Sequence, residues 1–105
     1  MNIALIAHDK KKELMVQFCI AYKGILSEHT LSGTGRTAKM VSDATGLTIY
    51  RHLSGNAGGA DQIASRISCD EIDMVLFFRD PITRRPEEPS DHTILRLCDV
   101  HNIPF

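Results

Sequence analysis

A chain of 105 residues, 43% hydrophobic and 24% charged, has the size and polarity of one domain able to bury a core without staples. Twelve Lys and Arg stand against 13 Asp and Glu, and the net charge of -1 provides no global field toward nucleic acid or an anionic membrane. No apolar run approaches the ~18 residues of a membrane span, and Met1–Ala7 lacks the charged leader and longer apolar region of a signal peptide, so a cytoplasmic protein is expected.

Ile3–Ala7 is a continuous apolar run, the pattern of a strand covered on both faces in a parallel sheet. After His8-Asp9, residues Lys10–Ser27 carry Leu14, Met15, Phe18, Cys19, Tyr22, Ile25 and Leu26 at helical spacing, with Asp9 placed as N-cap and Lys23-Gly24 loosening the last turn. His29–Thr34 predicts a second strand. Ala38–Thr45 predicts a helix with Met40, Val41 and Ala44 inward and Gly46 as its stop. The β-branched Leu47–Tyr50 predicts a third strand.

The glycine-rich Ser54–Gly59 leads into a helix expected from about Asp61 to Cys69, and Met74–Phe78 is the strongest strand of the sequence. Arg79–Ser90, with Pro81, Pro86 and Pro89, reads as a loop. A last helix carries Ile94, Leu95, Leu97, Cys98 and Val100, and Ile103–Phe105 reads as the start of a further strand. Strands alternating with helices predict a single three-layer α/β domain with a mainly parallel central sheet. Cys19, Cys69 and Cys98 are odd in number and without metal-ligand spacing; buried, reduced thiols are expected.

Ligands of such sheets bind at the carboxyl ends of the strands. Four strand ends here are polar or glycine-rich: His8-Asp9, Gly33–Thr37, Ser54–Asp61 and Arg79–Pro81. Thr34, Arg36 and Thr37 offer hydroxyls, a guanidinium and backbone amides at a helix N-terminus, a setting that favours phosphate. Ser54-Gly55 adds a hydroxyl and an unshielded amide, and Lys12, one turn into the first helix, adds a movable positive charge. No Gly-Lys-Ser/Thr and no dinucleotide fingerprint occurs, so a small phosphorylated ligand suits these loops better than a nucleotide. Asp61 is a candidate base for a carbon-bound proton, with an N-cap as its plain alternative. Asp80 is a strand-end carboxylate or a turn former. His8 is placed to polarise a substrate oxygen or to bond backbone. His29, His52, His92 and His101 lack ligand-like spacing and read as surface or core residues.

Taken together, Ile3–Asp9 with Lys12, Thr34-Gly35-Arg36-Thr37 before Ala44–Leu47, Ser54-Gly55 with Gly58-Gly59, and Phe77–Pro81 before Leu95–Val100 resemble the methylglyoxal synthase family over nearly the whole chain. The resemblance implies a lyase that turns dihydroxyacetone phosphate into methylglyoxal and inorganic phosphate without metal or organic cofactor. An aspartate would take the carbon-bound proton to give an enediolate, and phosphate would leave by β-elimination. It implies Lys12, Thr34, Thr37, Ser54 and Gly55 as phosphate holders, Arg36 beside them, and His8 and Asp80 near the reacting carbons. It also implies a cytoplasmic homo-oligomer, a hexamer in the family.

Departures from the family pattern are specific. The catalytic Asp that follows Gly-Gly aligns with Ala60, and Asp61 reaches its place if the loop gained Ala60 and the helix lost a Gln. Arg36 stands where the family has its second Thr, and Glu87 where it has a loop His, with Asp91 one residue late. The family pattern continues beyond Ile-Pro with a strand and a helix that brings an Arg, so Phe105 as last residue predicts an unpaired sheet edge. A second expectation from the same fold is a catalytically impaired module that binds a phosphorylated regulator, which Arg36–Lys39 resembles.

Overall fold

The computed structural model describes residues 1–52, 59–69, 71–79 and 91–105, and of residues 59–61 and 91–93 the backbone alone. Its elements run β1 (Asn2–Ala7), a 3-10 turn (Asp9–Lys11), α1 (Lys12–Ala21), α2 (Lys23–Leu26), β2 (Thr30–Gly33), α3 (Gly35–Thr45), β3 (Ile49–Arg51), α4 (Gly59–Ser68), β4 (Met74–Phe78) and α5 (Asp91–His101). The four strands form one parallel sheet in the order β3-β2-β1-β4. The chain first steps outward from β1 to β2 and β3, then returns to the other side of β1. The order therefore reverses between β1 and β4, and the crevice outside their carboxyl ends is where such sheets take ligands.

Alternation along β1 supplies two cores. Ile3, Leu5 and Ala7 pack with Met15, Cys19, Leu26, Val41 and Leu47 on one face. Ala4 and Ile6 pack with Ile63, Ile67, Val75, Ile94 and Cys98 on the other. This is the expected three-layer α/β domain: α1–α3, sheet, then α4 and α5. Ile63 and Ile67, one turn apart on α4, are both 0% exposed, and burial of each contributes about 1.5–3 kcal/mol.

Several local expectations are corrected. The predicted helix of Lys10–Ser27 is broken at Tyr22 (φ -108°, ψ 21°), ahead of the Lys23-Gly24 pair. Helix α3 starts at Gly35 rather than Ala38, which rotates its inward face onto Thr37, Ala38, Val41 and Thr45; Met40 and Ala44 are exposed. Gly46 does stop it, in a left-handed turn (φ 75°) that side chains with a Cβ rarely adopt. Strand β3 is shifted to Ile49–Arg51 because its pairing runs out along Leu31–Gly33. Cys19 and Cys98 are buried as expected, whereas Cys69, just past α4, is exposed. The edge of β4 expected to be bare is partly occupied, since the Val75 amide donates to the Pro104 carbonyl at 2.9 Å and Ile103 enters the core.

Candidate functional site: the carboxyl edge of the sheet

Two of the four strand ends, His8-Asp9 and Gly33–Thr37, can be followed onto the carboxyl edge side chain by side chain. At the β1–β4 switch point the His8 amide donates to Phe78 O (3.0 Å), closing the two strands together. The His8 ring is 1% exposed and meets Phe77 edge-on at 5.2 Å. Packing thus fixes the ring at the switch point. The His8 carbonyl accepts from the Lys11 amide at 2.8 Å, and this starts the 3-10 turn.

That turn alters the roles expected of Asp9 and Lys12. Asp9 caps no helix: it opens the turn, Lys11 occupies the α1 N-cap, and no side chain bonds there. Lys12 is the first residue of α1, not one turn in, and it is held rather than movable. Its Nζ donates to Ala7 O at 2.6 Å and lies 3.2 Å from Asp9 Oδ1, with the side chain 11% exposed. A nearly buried ammonium needs such partners, and this need draws Asp9 away from capping. The same Asp9 oxygen is 3.7 Å from Arg36, whose side chain is 71% exposed. One carboxylate therefore links the end of β1 to the first turn of α3.

At the end of β2, Thr34 is the N-cap of α3 and Thr37 lies in its first turn, both buried. Neither hydroxyl caps the backbone; Thr34 Oγ1 donates to Thr37 Oγ1 at 3.3 Å. The amides of Gly35, Arg36 and Thr37 have no intrahelical acceptor by helix geometry, and the dipole adds partial positive charge there. Gly33 lets this corner close. A Cβ on it would stand 2.8 Å from Leu5 O, so only glycine lets β2 run against β1 at the site. Lys12 and Arg36, joined through the Asp9 carboxylate, stand at the β1 end and in the first turn of α3, where Thr34, Thr37 and free helix amides add groups suited to an anion.

Asp61 falls in the first turn of α4, two residues after Gly59, which removes its reading as the N-cap; its side chain is outside the described residues. Ser54, Gly55, Asp80 and Glu87 also lie outside them, and Asp91 opens α5 with only its backbone described. Sequence reasoning passed over His52. It directly follows β3, donates its amide to Gly33 O (2.9 Å) and is 6% exposed, and among the described residues its Nε2 has no hydrogen-bond partner. Its position just before Ser54-Gly55 was the one signal available. Among the described residues no group of His, Cys, Asp and Glu is arranged to hold a metal ion.

A family model described as an MGS-like domain matches residues 14–105. This chain belongs to the MGS-like family. Curated relatives in it include the methylglyoxal synthase of Caldicellulosiruptor saccharolyticus, 64% identical over all 105 residues and covered for 74% of its own length. Another is the methylglyoxal synthase of Oceanobacillus iheyensis, 56% identical over the same span and covered for 75%. The crystal structure of methylglyoxal synthase from Elizabethkingia anophelis superposes with a TM-score of 0.95 at 39% identity, over 98% of this chain and 68% of that one. The MGS-like match begins after His8–Lys12, but the relatives align through that turn as well.

Proposed function

We infer that the chain is a methylglyoxal synthase: a carbon-oxygen lyase acting on dihydroxyacetone phosphate. The observation that carries this reading is identity of 53–64% along the entire chain to relatives bearing that name. The anion-ready corner of Lys12, Thr34, Arg36 and Thr37 beside the β1–β4 crevice supports it.

Substrate phosphate would rest on that corner, completed by Ser54 and Gly55, so that the carbon skeleton extends along the crevice toward His8 and Asp80. Asp61 takes a proton from the hydroxymethyl carbon, and its electron pair forms the enediolate. His8 hydrogen-bonds the developing oxyanion; a buried, fixed donor stabilises such charge better than water does. The enediolate then expels phosphate, breaking the bond between carbon and bridging oxygen. The resulting enol takes a proton on carbon and becomes methylglyoxal. The corner also holds that bond in line with the π system, and such positioning supplies much of the rate. We place the protein in the cytoplasm as a homo-oligomer; among the described residues no helix is long and apolar enough to cross a membrane.

The test is purified protein with dihydroxyacetone phosphate, following methylglyoxal and inorganic phosphate together. Stoichiometric formation of both is expected, with a fall of about 10²–10⁴ in kcat for Asp61→Asn. Folded protein that binds phosphate without turnover would make it a regulatory binding module instead. Unchanged turnover in the Asn variant would move the base elsewhere.

A further inference from the structure

Helices α1 and α2 carry a row of side chains that plays no part in the site. Leu14 (51% exposed), Tyr22 (48%) and Ile25 (60%) follow one another at helical spacing, with the half-buried Phe18 between the first two. Tyr22 departs from helical dihedrals, yet its amide donates to Phe18 O at 3.0 Å and its carbonyl accepts from the Leu26 amide at 2.9 Å. The row therefore continues across the break. The rings of Phe18 and Tyr22 lie 4.8 Å apart, and Phe18 meets Phe78 of β4 at 5.5 Å, so the row runs along the side of α1 nearest β4.

Apolar side chains exposed singly are ordinary, but a contiguous row of them marks an interaction surface. The two ends of this row carry opposite charge. Lys11 precedes it at the α1 N-cap, and Glu28 follows it, just past the cap of α2. The row is also complementary to itself. Leu14 stands three residues after Lys11, and Ile25 three residues before Glu28. Two copies laid antiparallel therefore bring Lys11 against Glu28 at each end and Leu14 against Ile25 inside them, with Phe18 and Tyr22 at the centre.

We propose that this row is a two-fold interface on which a second copy of the chain docks, with the two α1 helices antiparallel. The inference rests on the homo-oligomer part of the proposed function, for which it names the surface, and it needs nothing from the lyase chemistry. Apolar side chains at the centre supply the attraction. The charged pairs at the rim fix the direction, because parallel copies would set Lys11 against Lys11 and Glu28 against Glu28. A contact in which the same patch serves both copies closes on itself, so this surface joins two chains and no more.

The experiment is sedimentation equilibrium of the intact chain at low ionic strength, without substrate, for wild type, Ile25→Lys, Lys11→Glu and Glu28→Lys. Wild type is expected to associate with rising concentration. Ile25→Lys should raise the dissociation constant at this surface about a hundredfold, since it sets a charge among apolar side chains. Lys11→Glu and Glu28→Lys should each raise it about tenfold, because like charges then oppose at both ends. An equimolar mixture of those two variants decides the matter. Opposite charges face each other again at both ends, so the mixture is expected to associate within about threefold of wild type. Misfolded variants would not recover on mixing, so recovery separates a lost interface from a lost fold. A mixture no tighter than its components would overturn the proposal. Wild type that stays single at every concentration would overturn it together with the homo-oligomer reading. Association unchanged in all the variants would leave that reading standing and overturn this surface alone.

Discussion

Asp9 shows how much one side chain can arrange when its partners are fixed by burial. The Lys12 ammonium is held within reach of Ala7 O and Asp9 together, so the carboxylate has little freedom, and Arg36 is drawn to it from α3. The exposed Arg36 contact contributes little stability, since pairs open to solvent are screened. Its value is in where it holds a guanidinium. Reactivity of the thiols is likewise decided residue by residue. Burial pushes Cys19 up to about 11, and burial followed by the negative charge of Asp99 pushes Cys98 up too, while Cys69 is exposed. At pH 8 a maleimide is therefore expected to label Cys69 alone in the folded protein and all three thiols in denaturant. Mass spectrometry of the labelled peptides reads this directly; rapid labelling of Cys19 would contradict its burial.

At the scale of elements, two glycines with different surroundings make opposite forecasts. In β2, a Cβ added to Gly33 would stand 2.8 Å from the backbone oxygen of Leu5, and strand backbone cannot swing aside. Gly33→Ala should cost about 1–3 kcal/mol in urea unfolding, because β1 and β2 must be forced apart. In α2, a Cβ added to Gly24 would meet nothing within 4 Å. There Gly24→Ala should gain up to about 1 kcal/mol through helix propensity and a less flexible unfolded chain. The elements also differ in how plainly they could be read. Ile3–Ala7, buried on both faces, and Met74–Phe78, partly covered on both, were legible because such strands write themselves as unbroken apolar runs. The start of α3 was not, since Gly35 and Thr37 are poor helix formers and the helix there is supported by packing against β1 and α1. Polar residues after apolar runs pointed to His8, Thr34, Arg36 and Thr37 as candidates, and the start of the first helix pointed to Lys12. A histidine after a short alternating strand looks like surface, and only Tyr50, Arg66 and the layer of α4 make His52 an interior residue.

For the whole molecule, topology is what gathers distant segments into one site. The reversal of strand order brings residues after β1 and β4 together although most of the chain separates them, and the same reversal leaves β1 central. Alternate β1 side chains enter opposite layers, Leu5 and Ile6 each 0% exposed on their own side. Neither layer can therefore complete its packing until β1 is in place, and neither can open fully without disturbing it. In native-state hydrogen exchange the Leu5 and Ile6 amides should exchange only by global unfolding, while the amides of the edge strand β3 exchange through smaller openings. Protection of β1 no greater than that of β3 would refute this. A strand shared by both layers also limits how the chain can change over generations: its loops are free to vary chemistry one residue at a time, but a substitution in β1 is felt on two fronts at once.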